Sequence, residues 1–466
     1  MADQREDLFE PSARVQKCAV RAFGGVRLTL MRSGFATARM TWKKRLPTEK
    51  ADPGGCQMPE RMVYEMIDGE APVLAFDVSK GCSHCQGFSS FGKPIGKPIK
   101  VAHTKSGMAA AEGLSEALER KTGRKPKVAM ESTGVYSKPV IRWAESLGLE
   151  VYLISPLESA KVRKSRVRPT KTDALDCGVI AEVAYTRSLR RVTPKSSLYS
   201  QLYSLSRRRS AVVNRLTTSK NQYRKSLDAV WPLLDEACDP FSGYAIWAVG
   251  RYRHPANLAK ASEEKIIRAI DKASLKTGPA SKKAIVARLV AYARDALSGC
   301  CPEDGEVDSL LSALDDVIRD MRALDEITSR LLSLAKGLPH FAQILSIDGT
   351  GDVLAALLCA EIGEPSRFSC RNGLVAYAGL DPTILQSGRN DGLHYSITRK
   401  GNAFLRKYLY LAVENMIMSK ADNAITEFYS KKKSSGLCHK AAATAACRKL
   451  LVTIWGMLRG GSFFER

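Results

Sequence analysis

Four carboxylates, two at the ends of apolar runs and two in one helical turn, constrain this chain more than any other feature. Val73-Leu-Ala-Phe-Asp77-Val is an apolar run that ends in a carboxylate. A strand buried on both faces is apolar throughout, so Asp77 at its end must be paired, solvated at an edge or bound to a cation. Residues 81–100 carry the Gly/Pro/Ser punctuation and short β-prone pieces of a hairpin or meander. A helix is expected from about Ser106 to Lys121. Lys127-Val-Ala-Met-Glu131 then repeats the pattern of a short strand ending in a carboxylate, here followed by a glycine turn. Helix, strand and helix lead to Lys171-Thr172-Asp173-Ala-Leu-Asp176, which opens a helix running to about Tyr185. Thr172 suits the N-cap and acids suit a first turn, so capping alone accounts for both aspartates. Three apart, however, Asp173 and Asp176 share one helical face.

Strand, hairpin, strand with Glu131, and helix with an aspartate pair is the order of elements in an RNase H-like α/β fold. There the acids converge to hold Mg²⁺. Hard divalent cations take oxygen ligands, and a pair of them can clamp the attacking and leaving oxygens of a phosphodiester. Lys161-Val-Arg-Lys-Ser-Arg-Val-Arg168 places five cations in eight residues beside these acids. It is either a solvated loop or a rim that steers phosphates.

A second chemical stretch lies near the C-terminus. Gly349-Thr350-Gly351 separates an apolar lead-in from a helical run, Val353 to Ile362. A glycine turn opening a helix leaves N–H groups free for an anion, as in helix-hairpin-helix elements that hold a nucleic-acid phosphate. The other reading is a plain helix–helix turn. Gln386-Ser387-Gly388-Arg389 precedes Thr398-Arg399-Lys400-Gly401-Asn402 and Leu405-Arg406. Serine beside glycine sits on approachable backbone, and the cations suit a hydroxyl placed against a phosphate. Taken alone, Ser-Gly is more often only a turn.

Both halves independently resemble one family. DVSK, ESTGVY and KTDALD resemble the DEDD RuvC-like domain of the IS110/IS116/IS902-type insertion-sequence transposases. SIDGTGDVLAALLCAEIG, YAGLDP, QSGR and ITRKGNAFLRKYL resemble their C-terminal domain. Asp348 stands where that family more often has proline. The resemblance implies an RNA-guided serine recombinase that cuts and rejoins donor and target double-stranded DNA. Ser387 would be its nucleophile, with Asp77, Glu131, Asp173 and Asp176 around Mg²⁺. Gly349, Gly351, Arg389, Arg399, Lys400 and Arg406 would contact nucleic acid. A structured non-coding guide RNA and a homo-oligomer, dimer or tetramer, are further implications. Two other readings stay open: a hydrolytic metal-dependent nuclease that uses the four acids alone, and a decayed protein that only binds nucleic acid.

A net charge of +24 calls for a polyanionic partner. No run of about 18 apolar residues stands out in the sequence, so no membrane span is expected. The 12 cysteines are scattered and read as reduced thiols of a cytoplasmic protein. Only Cys82-Ser-His-Cys85 has metal-like spacing, and no second pair for a four-ligand zinc site stands at a fitting distance apart from the adjacent Cys300-Cys301. The expected divisions are a basic, disordered extension over 1–70, with Met58, Met62 and Met66 as alternative starts, and an RNase H-like domain over 71–192. A helical region over 193–337 and a helical C-terminal domain over 338–466 follow. Leu311, Leu314, Ile318, Met321, Leu324, Ile327, Leu331 and Leu334 repeat at heptad-like spacing, as in an antiparallel hairpin or coiled coil. Residues 232–305 exceed the usual family insert and have no functional reading. Tyr408–Tyr429 is expected to be helical, Lys431–Gly436 a loop, and His439–Leu458 the last helix.

Overall fold

The computed structural model describes residues 64–165, 173–192, 197–273, 275, 278–368, 370–382 and 397–465. A mixed α/β region comes first and mostly helical regions follow.

The seven-stranded sheet grows around β2 (Val73–Val78), in which every position but Asp77 is fully buried. Its strand order is β1-β7-β6-β5-β2-β3-β4. β3 (Cys82–Ser90) runs antiparallel to β2 and to β4 (Lys93–Ala102). On the other side β5 (Lys127–Glu131) is parallel to β2, and β6 (Val151–Ile154) is parallel to β5. β7 (Leu189–Arg191) and β1 (Tyr64–Glu65) finish that edge in antiparallel pairs. Among the described residues the sheet already includes Tyr64, ahead of the boundary expected at residue 71.

Strand alternation assigns the two faces. Leu74, Phe76, Val128 and Met130 pack with Met108, Ala111, Leu118, Val140 and Ala144, which lie on α1 (Lys105–Thr122) and α2 (Ser137–Ser146). Val73, Ala75 and Ala129 pack on the opposite face with Cys177, Ile180 and Ala184 of α4 (Asp173–Thr186). Between β6 and α4 the chain forms α3 (Pro156–Ser165). Continuing each odd-numbered series by two residues puts Asp77 and Glu131 on the α4 face.

The helical half is built on two long helices, α5 (Ser197–Val230) and α11 (Gly305–Ala335). Arg209 donates to Thr328 and Arg215 to Asp320, so the two run antiparallel. The expected pairing forms within the chain, but its buried stripe is offset. Val307, Leu310, Leu314, Val317, Asp320, Ile327, Leu331 and Ala335 are buried, whereas Leu311, Ile318, Met321 and Leu334 are half-buried flanks.

The connection between these helices holds α6 (Leu234–Ala237), α7 (Gly243–Tyr252), α8 (Pro255–Ala259), α9 (Glu263–Lys272) and α10 (Pro279–Asp295). They share a core with the facing ends of α5 and α11, around the fully buried Trp231. The Trp231 indole donates to the Arg253 carbonyl and stacks on Tyr292.

The opposite ends of the long helices join a third core with the C-terminal helices. These are α12 (Pro339–Leu345), α13 (Asp352–Ile362), α14 (Arg371–Ala378), α15 (Ala403–Met418), α16 (Ala424–Ser434) and α17 (His439–Gly460). Lys431–Lys433 lie in the last turn of α16 rather than in a loop. The chain instead breaks earlier, between Met418 and Ala424, where Asn423 builds a capping box with Thr426. Among the described residues one helix, α17, is long and apolar enough by length and composition to cross a membrane. Its apolar side is buried in this core.

Candidate active site

The acids expected at the strand ends lie where strand and helix geometry requires. Asp77 sits opposite His84 in the β2–β3 ladder, and Glu131 is the last residue of β5. Asp173 and Asp176 fall in the first turn of α4. Asp176 is 5% exposed, while the Asp173 side chain lies outside the described residues.

One cation joins two of these elements. From the last turn of α3, Arg163 places Nη2 3.3 Å from Glu131 Oε2 and Nε 2.9 Å from Asp176 Oδ1. The Nε interaction is an ion pair without hydrogen-bond alignment, since that N–H finds no acceptor in line. Both carboxylates are nearly covered, with side-chain exposures of 14% and 7%. Buried carboxylates need a cation or donors, and the guanidinium supplies it here. Sequence alone places Arg163 in a basic run that is either a solvated loop or a phosphate rim. The structure instead puts it in a helix and turns it onto the acids, with Val162 beside it buried. Arg166 and Arg168 lie outside the described residues.

The donor chemistry suits a hard divalent ion, because these are carboxylate oxygens from separate rigid elements. Among the described residues, no group of three or more His, Cys, Asp and Glu side chains is close enough to hold a metal. Two of the acids, Glu131 and Asp176, are held instead by an arginine. Zinc at Cys82–Cys85 has no support. Residues three apart on a strand point to opposite faces, and burial with Cys177 nearby pushes the Cys85 thiol well above its usual range.

The second region centres on Glu361, which lies in the apolar helix α13 with no side-chain exposure. Its carboxylate accepts from Ser206 Oγ at 2.7 Å, Arg207 Nη2 at 2.9 Å and Asn402 Nδ2 at 2.7 Å. Arg207 also lies over the Phe404 ring, with Cζ 3.7 Å from its centroid. Asn402 caps α15 by accepting from the Phe404 and Leu405 N–H groups. One buried carboxylate thus ties the long helix α5 to the turn Thr398–Asn402.

That turn is also held from behind. Pro382 bridges Ile397, Thr398 N–H donates to the Asp381 carbonyl, and Asn402 N–H donates to the Tyr377 carbonyl. A Cβ on Gly401 would stand 2.5 Å from the Tyr377 carbonyl oxygen, so only glycine allows this approach. Arg399, with φ +54°, and Lys400 are left exposed. Arg406 is not free: Nη1 donates to the Ala378 carbonyl at 2.7 Å. Desolvation first, and the nearby Arg399 second, push its pKa down. Ser387 and Arg389 lie outside the described residues, in the segment 383–396 between Pro382 and Ile397.

Gly349 and Gly351 have structural duties. Gly349, at φ +76°, lets the turn pack against α15, because a Cβ there would meet Ala412 O and Met416 N at 2.9 Å. Gly351 is the backbone N-cap of α13, and Asp352 follows in the first turn. Asp348 and Asp422 line the adjoining cavity of about 300 Å³. These acids disfavour a phosphate at the turn.

Arg163, Arg207, Glu361 and Asn402 escaped the site expected from sequence. Glu361 did leave a signal, as a lone carboxylate at the end of the apolar run Val353–Ile362. Its partners, 154 and 41 residues away, left none.

An acid-bearing mixed sheet followed by mostly helical regions, in a chain of net charge +24, suits an enzyme that handles nucleic acid, and known proteins narrow the class to a transposase. A family model described as a transposase of the DEDD IS110 type matches residues 74–232, and one described as "Transposase IS116/IS110/IS902 family" matches residues 342–430. The chain is 26% identical over 404 residues to the IS110 43.6 kDa protein of Streptomyces coelicolor, covering 84% of this chain and 95% of that protein. It is 26% identical over 300 residues to the IS116 44.8 kDa protein of Streptomyces clavuligerus, covering 63% and 72%. A pilin gene-inverting protein of Moraxella bovis is 29% identical over 160 residues, covering 33% and 49%. The chain belongs to the IS110 family of insertion-sequence transposases, and its substrate is DNA.

Proposed function

We propose that this transposase cuts and rejoins DNA strands through a serine ester at Ser387, assisted by a divalent-metal site built from Asp77, Glu131, Asp173 and Asp176. The observation that carries the metal site is the convergence of Glu131 and Asp176, from different elements, onto a single cation. The order of the strands around β2, with an antiparallel meander on one side and parallel strands on the other, supports an RNase H-like reading of the sheet. A bound Mg²⁺ would supply Lewis-acid polarisation of the scissile phosphate.

The protein groups do the rest. Ser387 Oγ gives up its proton and bonds to phosphorus as the P–O bond to the leaving DNA oxygen breaks, and that oxygen takes up a proton. The free hydroxyl end of an exchanged strand later attacks that phosphorus, and the serine oxygen leaves and regains a proton. A serine ester conserves the phosphodiester bond energy, so rejoining needs no ATP. Arg399 and Lys400, exposed on a turn fixed by Glu361 and Gly401, would hold the phosphate, while Arg406 braces that turn. The acids and the serine belong to different regions, so an active centre assembled across regions or subunits, a homo-oligomer and a guide RNA are parts of the same proposal.

The test is to trap the adduct. The protein is combined with its flanking element DNA and the element transcript, then denatured and searched for DNA bound covalently to protein. Wild type should give an adduct that Ser387→Ala abolishes. Cleavage that survives Ser387→Ala but is lost in Asp77→Ala would replace this mechanism with hydrolysis by the metal site alone.

A further inference from the structure

The geometry points to Arg163 as a built-in occupant of the metal site, one that must leave before a divalent cation enters and that a DNA phosphate draws away. The inference rests on the metal-site reading above and concerns how that site loads.

Three observations carry it. The guanidinium lies within 3.3 Å of Glu131 and 2.9 Å of Asp176, two of the four acids that would hold a metal. No three described acids are gathered for a metal while Arg163 sits there. The fit is also imperfect, because Nε is near Asp176 without an aligned hydrogen bond. The arginine neutralises charge without meeting the geometric demand of a buried bidentate pair.

A guanidinium and a divalent cation repel each other at such range, so both cannot use the same carboxylate oxygens. Arg163 needs another anion to meet when it leaves. It lies in the last turn of α3, next to the exposed Lys161 and Lys164, on the side from which a phosphate backbone would be attracted. Planar phosphate recognition is what arginine does best. DNA arriving at this rim competes for Arg163 and vacates Glu131 and Asp176. Substrate and metal therefore enter together, and the free protein does not carry a loaded cutting site.

The experiment titrates Mn²⁺ alone into full-length protein and follows free Mn²⁺ by electron paramagnetic resonance. It compares wild type, Arg163→Gln and Asp176→Asn, each with and without a short DNA duplex, after subtraction of Mn²⁺ held by the duplex itself. Arg163→Gln is expected to bind Mn²⁺ about tenfold more tightly than wild type without DNA, since one repelling charge is gone. The duplex should strengthen Mn²⁺ binding by wild type and leave Arg163→Gln nearly unchanged. Equal binding by wild type and Arg163→Gln, or an equal duplex effect on both, overturns the inference while leaving the metal site standing. No Mn²⁺ binding that Asp176→Asn removes, under any condition, overturns the metal site and this inference together. Should Arg163→Gln fail to fold, wild type still decides, because an affinity unmoved by the duplex contradicts the proposal.

Discussion

Glu361 interrupts a helix that is otherwise buried and apolar, and burying a lone carboxylate there would be costly. Ser206, Arg207 and Asn402 make it tolerable, and its orientation sets the turn carrying Arg399 and Lys400. Removing one partner of a buried pair costs about 3–5 kcal/mol, because the other charge stays buried. Arg207→Ala is therefore expected to lower the unfolding free energy extrapolated from urea titrations by about that much. The double variant Arg207→Met with Glu361→Met should recover much of it. Gly401→Ala should cost about 1–3 kcal/mol, as overpacking does, and should weaken binding of short DNA duplexes by displacing Arg399 and Lys400. Binding that stays intact in this variant would show that these cations do not meet DNA. At this scale the sequence is legible wherever chemistry follows local period. Asp77 and Glu131 are two residues beyond buried positions on their strands, and strand alternation alone assigns them one face. Arg163 and Arg207 stay hidden because an ion pair across folded chain leaves no mark in local spacing.

The long helices show how far periodicity reads an element. The heptad-like leucines identify α11 and its pairing, yet the buried stripe runs through Val307, Leu310, Leu314 and Val317. The pattern misleads because the stripe passes through Asp320, fully buried and held by Arg215 Nε at 2.6 Å and Ser219 Oγ at 2.8 Å. A carboxylate in the core position draws a hydrophobicity reading to the adjacent Met321, on the flank. This pair makes an asymmetric prediction for thermal unfolding. Arg215 is itself half exposed, so Arg215→Ala leaves Asp320 with Ser219 alone and should cost about 1–3 kcal/mol, whereas Arg215→Met with Asp320→Leu should be neutral or stabilising by about 1–4 kcal/mol. If both changes were equally harmful, packing rather than charge would hold the middle of the hairpin. The five helices between α5 and α11 are not legible as a separate core, because nothing in their local signals says that they close around Trp231.

Across the molecule, a charge of +24 sets a strongly salt-dependent affinity for DNA. Replacing Lys431, Lys432 and Lys433 by alanine should flatten the plot of log affinity against log salt by about 0.9 for each DNA phosphate that these lysines neutralise. An unchanged slope in fluorescence anisotropy titrations would place these lysines outside the DNA path. The charge foretells a nucleic-acid partner but not where it lies, since 72 basic residues spread over the chain do not by themselves define a track. The architecture also bears on how such a chain can change over time. The inserted helices leave from Val230, and the chain returns through Ser298 and Gly299, whose side-chain hydroxyl and N–H donate to the Val230 and Ala229 carbonyls. Departure and return are thus pinned at one spot on the tip of the hairpin, far along the chain from the acids and from the serine segment. The N-terminal family match stops at residue 232, at that same spot. A branch attached at a single point can lengthen, shorten or acquire a new surface while the trunk keeps its dimensions, so lineages are free to experiment there without re-inventing the cut.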